Sequence, residues 1–185
     1  MSEPATSAEE ALVRLWEEHL RHEFDTGSTE DTLATMVEDA YVNHVPVLTG
    51  GFGKTALRDF YSRHFIPKMP PDLQMTPVSR TIGRDRLIEE FVLSFTHTVE
   101  MEWMLPGIAP TGRRVEVPTI VVVHFRDGKL AHEHIYWDQA TVLVQLGLLD
   151  PARLPVAGAD SARKVLDPRR PANALIDRAV DPGKR

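Results

Sequence analysis

Along the first part of the chain, apolar residues recur every three or four positions. Leu12, Leu15, Trp16 and Leu20 form one stripe, with His19 and Glu23 at the same spacing. That period predicts an amphipathic helix. Thr6 or Ser7 is placed to cap it, Glu9 and Glu10 occupy the first turn where the helix dipole favours acids, and Gly27 ends it. Ser28 or Thr29 then opens a short helix over 31–37, with Leu33, Met36 and Val37 inward. Residues 40–45 read as a short strand and 49–53 as a glycine-rich loop. A third helix over 54–64 places Leu57, Phe60, Tyr61 and Phe65 on one face before Pro67, Pro70 and Pro71 stop it.

From Leu73 onward the period shortens to two. Strands are predicted over 75–80, 87–104, 115–125 and 130–137, with a turn at Gly83, a loop over 106–112 and a hairpin around Asp127-Gly128. A short helix over 141–149 closes the series. Helices first and strands afterwards predict the α+β class. Ile120 to Val123 are apolar on both faces, so one face is expected to meet the helices and the other a second subunit. Beyond residue 150 the chain is rich in Pro, Arg, Asp and Ala and has no aromatic residue. The division is therefore a flexible start at 1–7, one domain at 8–150 and an extended or partly disordered tail at 151–185, with a helical turn near 174–179.

Composition narrows the function classes. With 42% apolar residues the chain has enough material for a core. The absence of cysteine removes disulfides, thiolate nucleophiles and cysteine-ligated metal sites. A net charge of −6 argues against nucleic acid as a partner. No apolar run is long enough to cross a bilayer, and the N-terminus lacks the basic start and apolar core of a signal peptide. A soluble, cytoplasmic protein is expected.

The predicted last strand carries the densest chemistry. Alternation puts His132, His134, Tyr136 and Asp138 on one face and Ala131, Glu133, Ile135 and Trp137 on the other. Four polar groups on one face suit either a ligand pocket or a solvent face on which Asp138 only caps the next helix. His124 depends on the hairpin. A two-residue loop pairs it with Ala131, away from His134; a three-residue loop pairs it with Leu130, on the same face as His134. Together His124, His132 and His134 also permit a three-histidine zinc site. Asn43 and His44 end an early strand, where they orient a substrate or cap a turn. Val99, Met101 and Trp103 share a face of the long strand with His97, as core or as pocket wall. Gly50-Gly51-Phe52-Gly53-Lys54-Thr55 lacks the four-residue gap of a phosphate loop.

This order of parts resembles the SnoaL-like polyketide cyclases of the nuclear-transport-factor-2-like superfamily. The likeness spans roughly residues 8–150 and rests on four pieces. They are Tyr41-Val42-Asn43-His44 after two helices, Pro110-Thr111-Gly112-Arg113-Arg114-Val115 between strands, Asp127-Gly128-Lys129-Leu130 in the hairpin, and Asp138 followed by Gln145-Leu146-Gly147. The resemblance implies a cone-shaped, curved, mixed sheet wrapped over N-terminal helices, a conical pocket and a homodimer formed through the outer face of the sheet. It implies no metal and no organic cofactor. By the same resemblance Asp138 is the general acid/base, His124 matches a pocket histidine, and Asn43 and His44 fall where the substrate is held; beside these, His134 is a candidate second donor to the developing enolate oxygen, and Tyr41, Trp103 and Tyr136 are candidate substrate contacts. The expected activity is acid–base chemistry on a small hydrophobic carbonyl compound: aldol cyclisation, isomerisation or dehydration. A non-catalytic ligand-binding or dimerising module and a zinc hydrolase-like site are the alternatives.

Overall fold

The structure is a computed structural model that describes residues 7–180. Residues 1–6 of the expected flexible start, and the last five of the tail, lie outside them. Helix α1 (Ser7–Phe24) and α2 (Thr29–Ala34) precede strands β1 (Met36–His44) and β2 (Thr49–Phe52). Helix α3 (Gly53–Asp59) continues into a wider π-helical stretch, Phe60–Phe65, which turns Phe60, Tyr61 and Phe65 all inward. Strands β3 (Gln74–Ile82), β4 (Arg86–Thr96), β5 (Arg114–Arg126) and β6 (Lys129–Trp137) follow. Helices α4 (Gln139–Gln145), α5 (Asp160–Leu166) and α6 (Ala174–Val180) end the described chain.

The six strands make one sheet in the order β2-β1-β6-β5-β4-β3. Only β1 and β6 pair in parallel; the rest are antiparallel. Register shifts at Pro77/Ser79, between Met36 and Tyr41, and beyond His124 interrupt the ladders. Such bulges bend and twist a sheet. The concave face packs against α1 and the α3 extension around Trp16, Leu33, Leu57, Phe60 and Tyr61. The α+β class and the mixed, curved sheet expected from the chain are both present.

Four local expectations change. Met36 and Val37 belong to β1 and not to the second helix, and 49–52 is a strand and not a loop. The long strand stops at Thr96. Trp103, Met104 and Leu105 are all buried in succession, together with Met101, and alternation cannot put three neighbours on one face. The segment instead folds back. Met104 and Leu105 donate to the Met101 carbonyl, and Thr49 Oγ1 fastens it by donating to the Trp103 carbonyl at 2.6 Å. The tail is not extended throughout. Ala162 of α5 is buried, Arg163 Nε donates to Glu116 at 2.8 Å, and Arg178 donates to the carbonyls of Pro151 and Leu154. These are specific anchors between distant residues, which composition does not reveal.

The hairpin settles its register in a way neither loop length alone predicts. Asp127 and Gly128 have φ of 54° and 69°, the left-handed pair that a two-residue hairpin demands. Arg126 then pairs with Lys129 and Phe125 with Leu130, but His124 pairs with His132. Ala131 is the extra residue of a bulge. The reason lies in burial: Leu130 and Glu133 both point inward, and an odd number of steps between two inward residues requires a bulge.

Candidate functional site

A cavity of ≈ 260 Å³ lies between the concave face and the helices. Its walls are mostly apolar, with Trp16, Phe24, Phe60, Phe65, Trp103 and Trp137 among them, and Glu23, His44, Thr119 and Glu133 are polar members. At its edge Arg80 bridges Glu17 of α1 and Glu89 of β4, and Trp16 Nε1 donates to Glu89 at 2.6 Å. This clasp holds α1 against the sheet.

The polar wall is built from two elements. The inward stripe of α1 carries His19 and Glu23 one turn apart, and the inward face of β6 carries Glu133 beside Val42 and Val123. His19 Nδ1 lies 2.6 Å from Thr35 Oγ1. The Thr35 hydroxyl donates its own proton to the Thr32 carbonyl, so it accepts from His19, and Nδ1 carries a proton. Nε2 therefore faces the acids. It is 3.1 Å from Glu23 Oε1 and 3.0 Å from Glu133 Oε1. The second contact is an ion pair off the line of a hydrogen bond, so Glu133 Oε1 has no hydrogen-bond partner among the described residues.

Electrostatics follow from this burial. Burial alone lowers the His19 pKa, but the charges of Glu23 and Glu133 outweigh it and raise the value to about 10. His19 is thus an imidazolium at neutral pH. Burial raises the Glu133 pKa above the usual carboxylate range; His19 opposes the shift, and the Glu23 charge adds to it. One imidazolium between two carboxylates leaves an excess negative charge, which together with burial favours the protonated form of Glu133. The buried Tyr61 hydroxyl, beside Glu23 and Glu133, is likewise without a partner and is raised by burial and by both charges. The ligand atoms of His19, Glu23 and Glu133 lie within 4.8 Å of one another, and among the described residues these three are the group that could hold a metal ion.

The residues singled out on the last strand lie elsewhere. His132 pairs across with His124 on β5 and Tyr41 on β1, and His134 with Asn43. Since Val42, His44, Glu133, Ile135 and Trp137 line the cavity, alternation puts Tyr41, Asn43, His124, His132, His134 and Tyr136 on the convex face. Their rings form a surface stack: Tyr41–His132 4.8 Å, His132–His134 4.7 Å, His124–His132 5.0 Å between centroids. Their donor atoms do not gather within the 4.8 Å that His19, Glu23 and Glu133 meet. Asp138 is the N-cap of α4, accepting from the backbone of Ala140 and Thr141 and from the Thr141 hydroxyl. The expectation that this face lines the pocket is therefore corrected. The inward face is the other one: Glu133 meets His19 of α1, and Trp137 packs against His44 and Trp103. His44 and Trp103 do line the cavity.

His19, Glu23 and Glu133 are not among the candidates that the spacing along the chain points to. The available signal was a histidine and an acid on the apolar stripe of α1, and an acid between Ala131 and Ile135 on an apolar strand face. Titratable groups on faces otherwise made of Leu, Trp and Ile need partners.

Comparisons with known proteins agree with this architecture. A family model, SnoaL-like polyketide cyclase, matches residues 10–146. No curated protein matches the chain significantly. Among solved structures, a candidate SnoaL-like polyketide cyclase from Jannaschia sp. CCS1 superposes with TM-score 0.62 at 18% identity, covering 80% of this chain and all (100%) of that one. AclR, a candidate hydroxylase from Streptomyces galilaeus, gives TM-score 0.56 at 20% identity over 78% and 89% of the two chains. A candidate polyketide cyclase from Xanthomonas campestris pv. campestris gives 0.56 at 18% over 76% and 99%. At these identities the likeness is one of fold. No helix among the described residues is long and apolar enough to cross a membrane. The family match covers most of the chain, from the stripe of α1 to the Gln145-Leu146 end of α4, and the chain belongs to the SnoaL-like polyketide cyclase family.

Proposed function

We propose that the chain catalyses proton transfer at a carbon next to the carbonyl of a small apolar compound held in the cavity. Glu133 is the acid–base group, and the His19–Glu23 ion pair holds it. The observation that carries this reading is the buried Glu133 carboxylate, held by its ion pair with His19, in the wall of a mostly apolar cavity. A carboxylate whose pKa is raised by burial accepts a proton more readily than an ordinary one and can return it. Aldol closure, isomerisation and dehydration all begin with this step, so the proposal names the step they share. His19 acts through Glu133 as a positioning residue.

The test follows deuterium. Small cyclic ketones are incubated with the protein in heavy water, and incorporation next to the carbonyl is read by mass spectrometry. Exchange well above the buffer rate for a ketone that binds is expected. Binding without any exchange, across ketones of every size the cavity admits, would overturn the reading and leave a ligand-binding module.

The convex face supports a homodimer. Ile88, Ile120 and Tyr136 are 44%, 41% and 42% exposed there and stand on adjoining strands. Contiguous exposed apolar residues on a sheet face mark an interaction surface. In analytical ultracentrifugation the wild type is expected to sediment as a dimer and Ile120→Glu as a monomer. A wild type that is monomeric at every concentration would refute this.

A further inference from the structure

We infer that the cavity takes a compound of one or two fused rings that carries a hydroxyl group whose proton is accepted by His44 Nε2. The inference rests on the proposed proton transfer only for where the reacting end lies. The size limit and the hydroxyl come from other observations.

The tautomer of His44 is determined by its surroundings. Nδ1 lies 3.3 Å from the Thr49 carbonyl. A carbonyl only accepts, so Nδ1 carries the proton and Nε2 of the neutral ring is an acceptor. The ring is 3% exposed and enclosed by Phe60, Phe65, Trp103 and Trp137, with centroids 5.5–5.8 Å away. Burial pushes its pKa down to about 4, against a small opposing effect of the Thr49 carbonyl, so the ring is neutral at physiological pH. No donor among the described residues meets Nε2. His44 and all four of its aromatic neighbours line the cavity. A neutral acceptor set among four aromatic rings in the cavity wall is met by a donor on the ligand.

Volume sets the frame. A cavity of roughly 150 Å³ accommodates one benzene ring. At ≈ 260 Å³ this one has room for a substituted ring or two fused rings, and not for four. Register sets the spacing. His44 pairs with Ile135, and Glu133 lies two residues before it on β6, a step of about 6.6 Å along the strand. A two-ring frame spans that step, with its hydroxyl at His44 and its reacting carbon at Glu133.

The experiment is calorimetric and uses three probes: 2-naphthol, its methyl ether, and the four-ring 1-hydroxypyrene. Wild-type protein is expected to bind 2-naphthol about tenfold more tightly than the ether, the effect of one hydrogen bond to a buried acceptor. 1-Hydroxypyrene is expected not to bind. His44→Phe should remove the preference for the naphthol while keeping affinity for the ether, and His44→Gln, which restores an acceptor, should recover part of it. Equal binding of naphthol and ether by the wild type, or binding of the four-ring probe as tightly as the naphthol, overturns the inference without any variant. The readout is affinity, so it stands or falls separately from deuterium exchange: Glu133→Gln should lose exchange and keep the naphthol preference.

Discussion

Glu133→Gln is expected to slow deuterium exchange by about 100- to 10,000-fold, the usual contribution of a positioned acid–base group. The substitution preserves shape, so the cavity walls and the His19–Glu23 ion pair remain. It removes the carboxylate that faces Nε2 off the hydrogen-bond line and whose burial raises its pKa. A neutral amide costs less to bury than a charge, so the folded variant should be no less stable than the wild type at neutral pH. Ligand affinity measured by calorimetry should change little. The contrasting variant is Asp138→Ala. Its carboxylate caps α4, so about 0.5–2 kcal/mol of stability is expected to be lost. Exchange by the folded protein should be retained. If Asp138→Ala abolishes exchange while folded, and Glu133→Gln does not, the active carboxylate is the one at the strand end and not the one in the cavity wall.

His19→Leu is expected to be the most destabilising single change near the cavity. It leaves Glu23 and Glu133 buried with no cation between them. Breaking a buried pair in this way costs about 3–5 kcal/mol. The pH dependence identifies the cause. In the wild type the His19 pKa is raised from 6.5 to about 10, so its contribution is complete below 6.5 and is lost as pH rises through about 10. In the variant the stabilising proton must sit on a carboxyl group whose folded pKa is raised. Its stability is therefore greatest below the ordinary carboxylate pKa and falls as pH rises. Urea denaturation at pH 5 and pH 8 should show a much larger loss at pH 8 for the variant than for the wild type. An equal loss at both pH values would mean that His19 contributes packing and not charge. Adding Glu133→Gln to His19→Leu should restore part of the pH 8 loss, because one of the two orphaned charges is gone.

The sequence by itself determined the period of each element and therefore the class. The stripe of Leu12, Trp16 and Leu20, the shift to alternation after Leu73 and the Asp127-Gly128 turn were sufficient for helices packed on a hairpin-rich sheet. They hold because local backbone preference and apolar spacing act within a few residues. The two faces of β6 were also legible, but not which of them is inside. That choice belongs to the tertiary structure. It needs Leu130 and Glu133 both directed at the core, hence a bulge at Ala131, and it needs α1 lying across the concave face. His19 and Glu23 were visible as members of a helical stripe, yet their chemistry exists only where Glu133 meets them from the far end of the chain. A polar row such as His132, His134 and Tyr136 looks like a site in one dimension because alternation hides burial. In three dimensions the acidic group among apolar neighbours, Glu133 between Val42 and Val123, is the one removed from water. Removal from water shifts its pKa and makes it the candidate for chemistry.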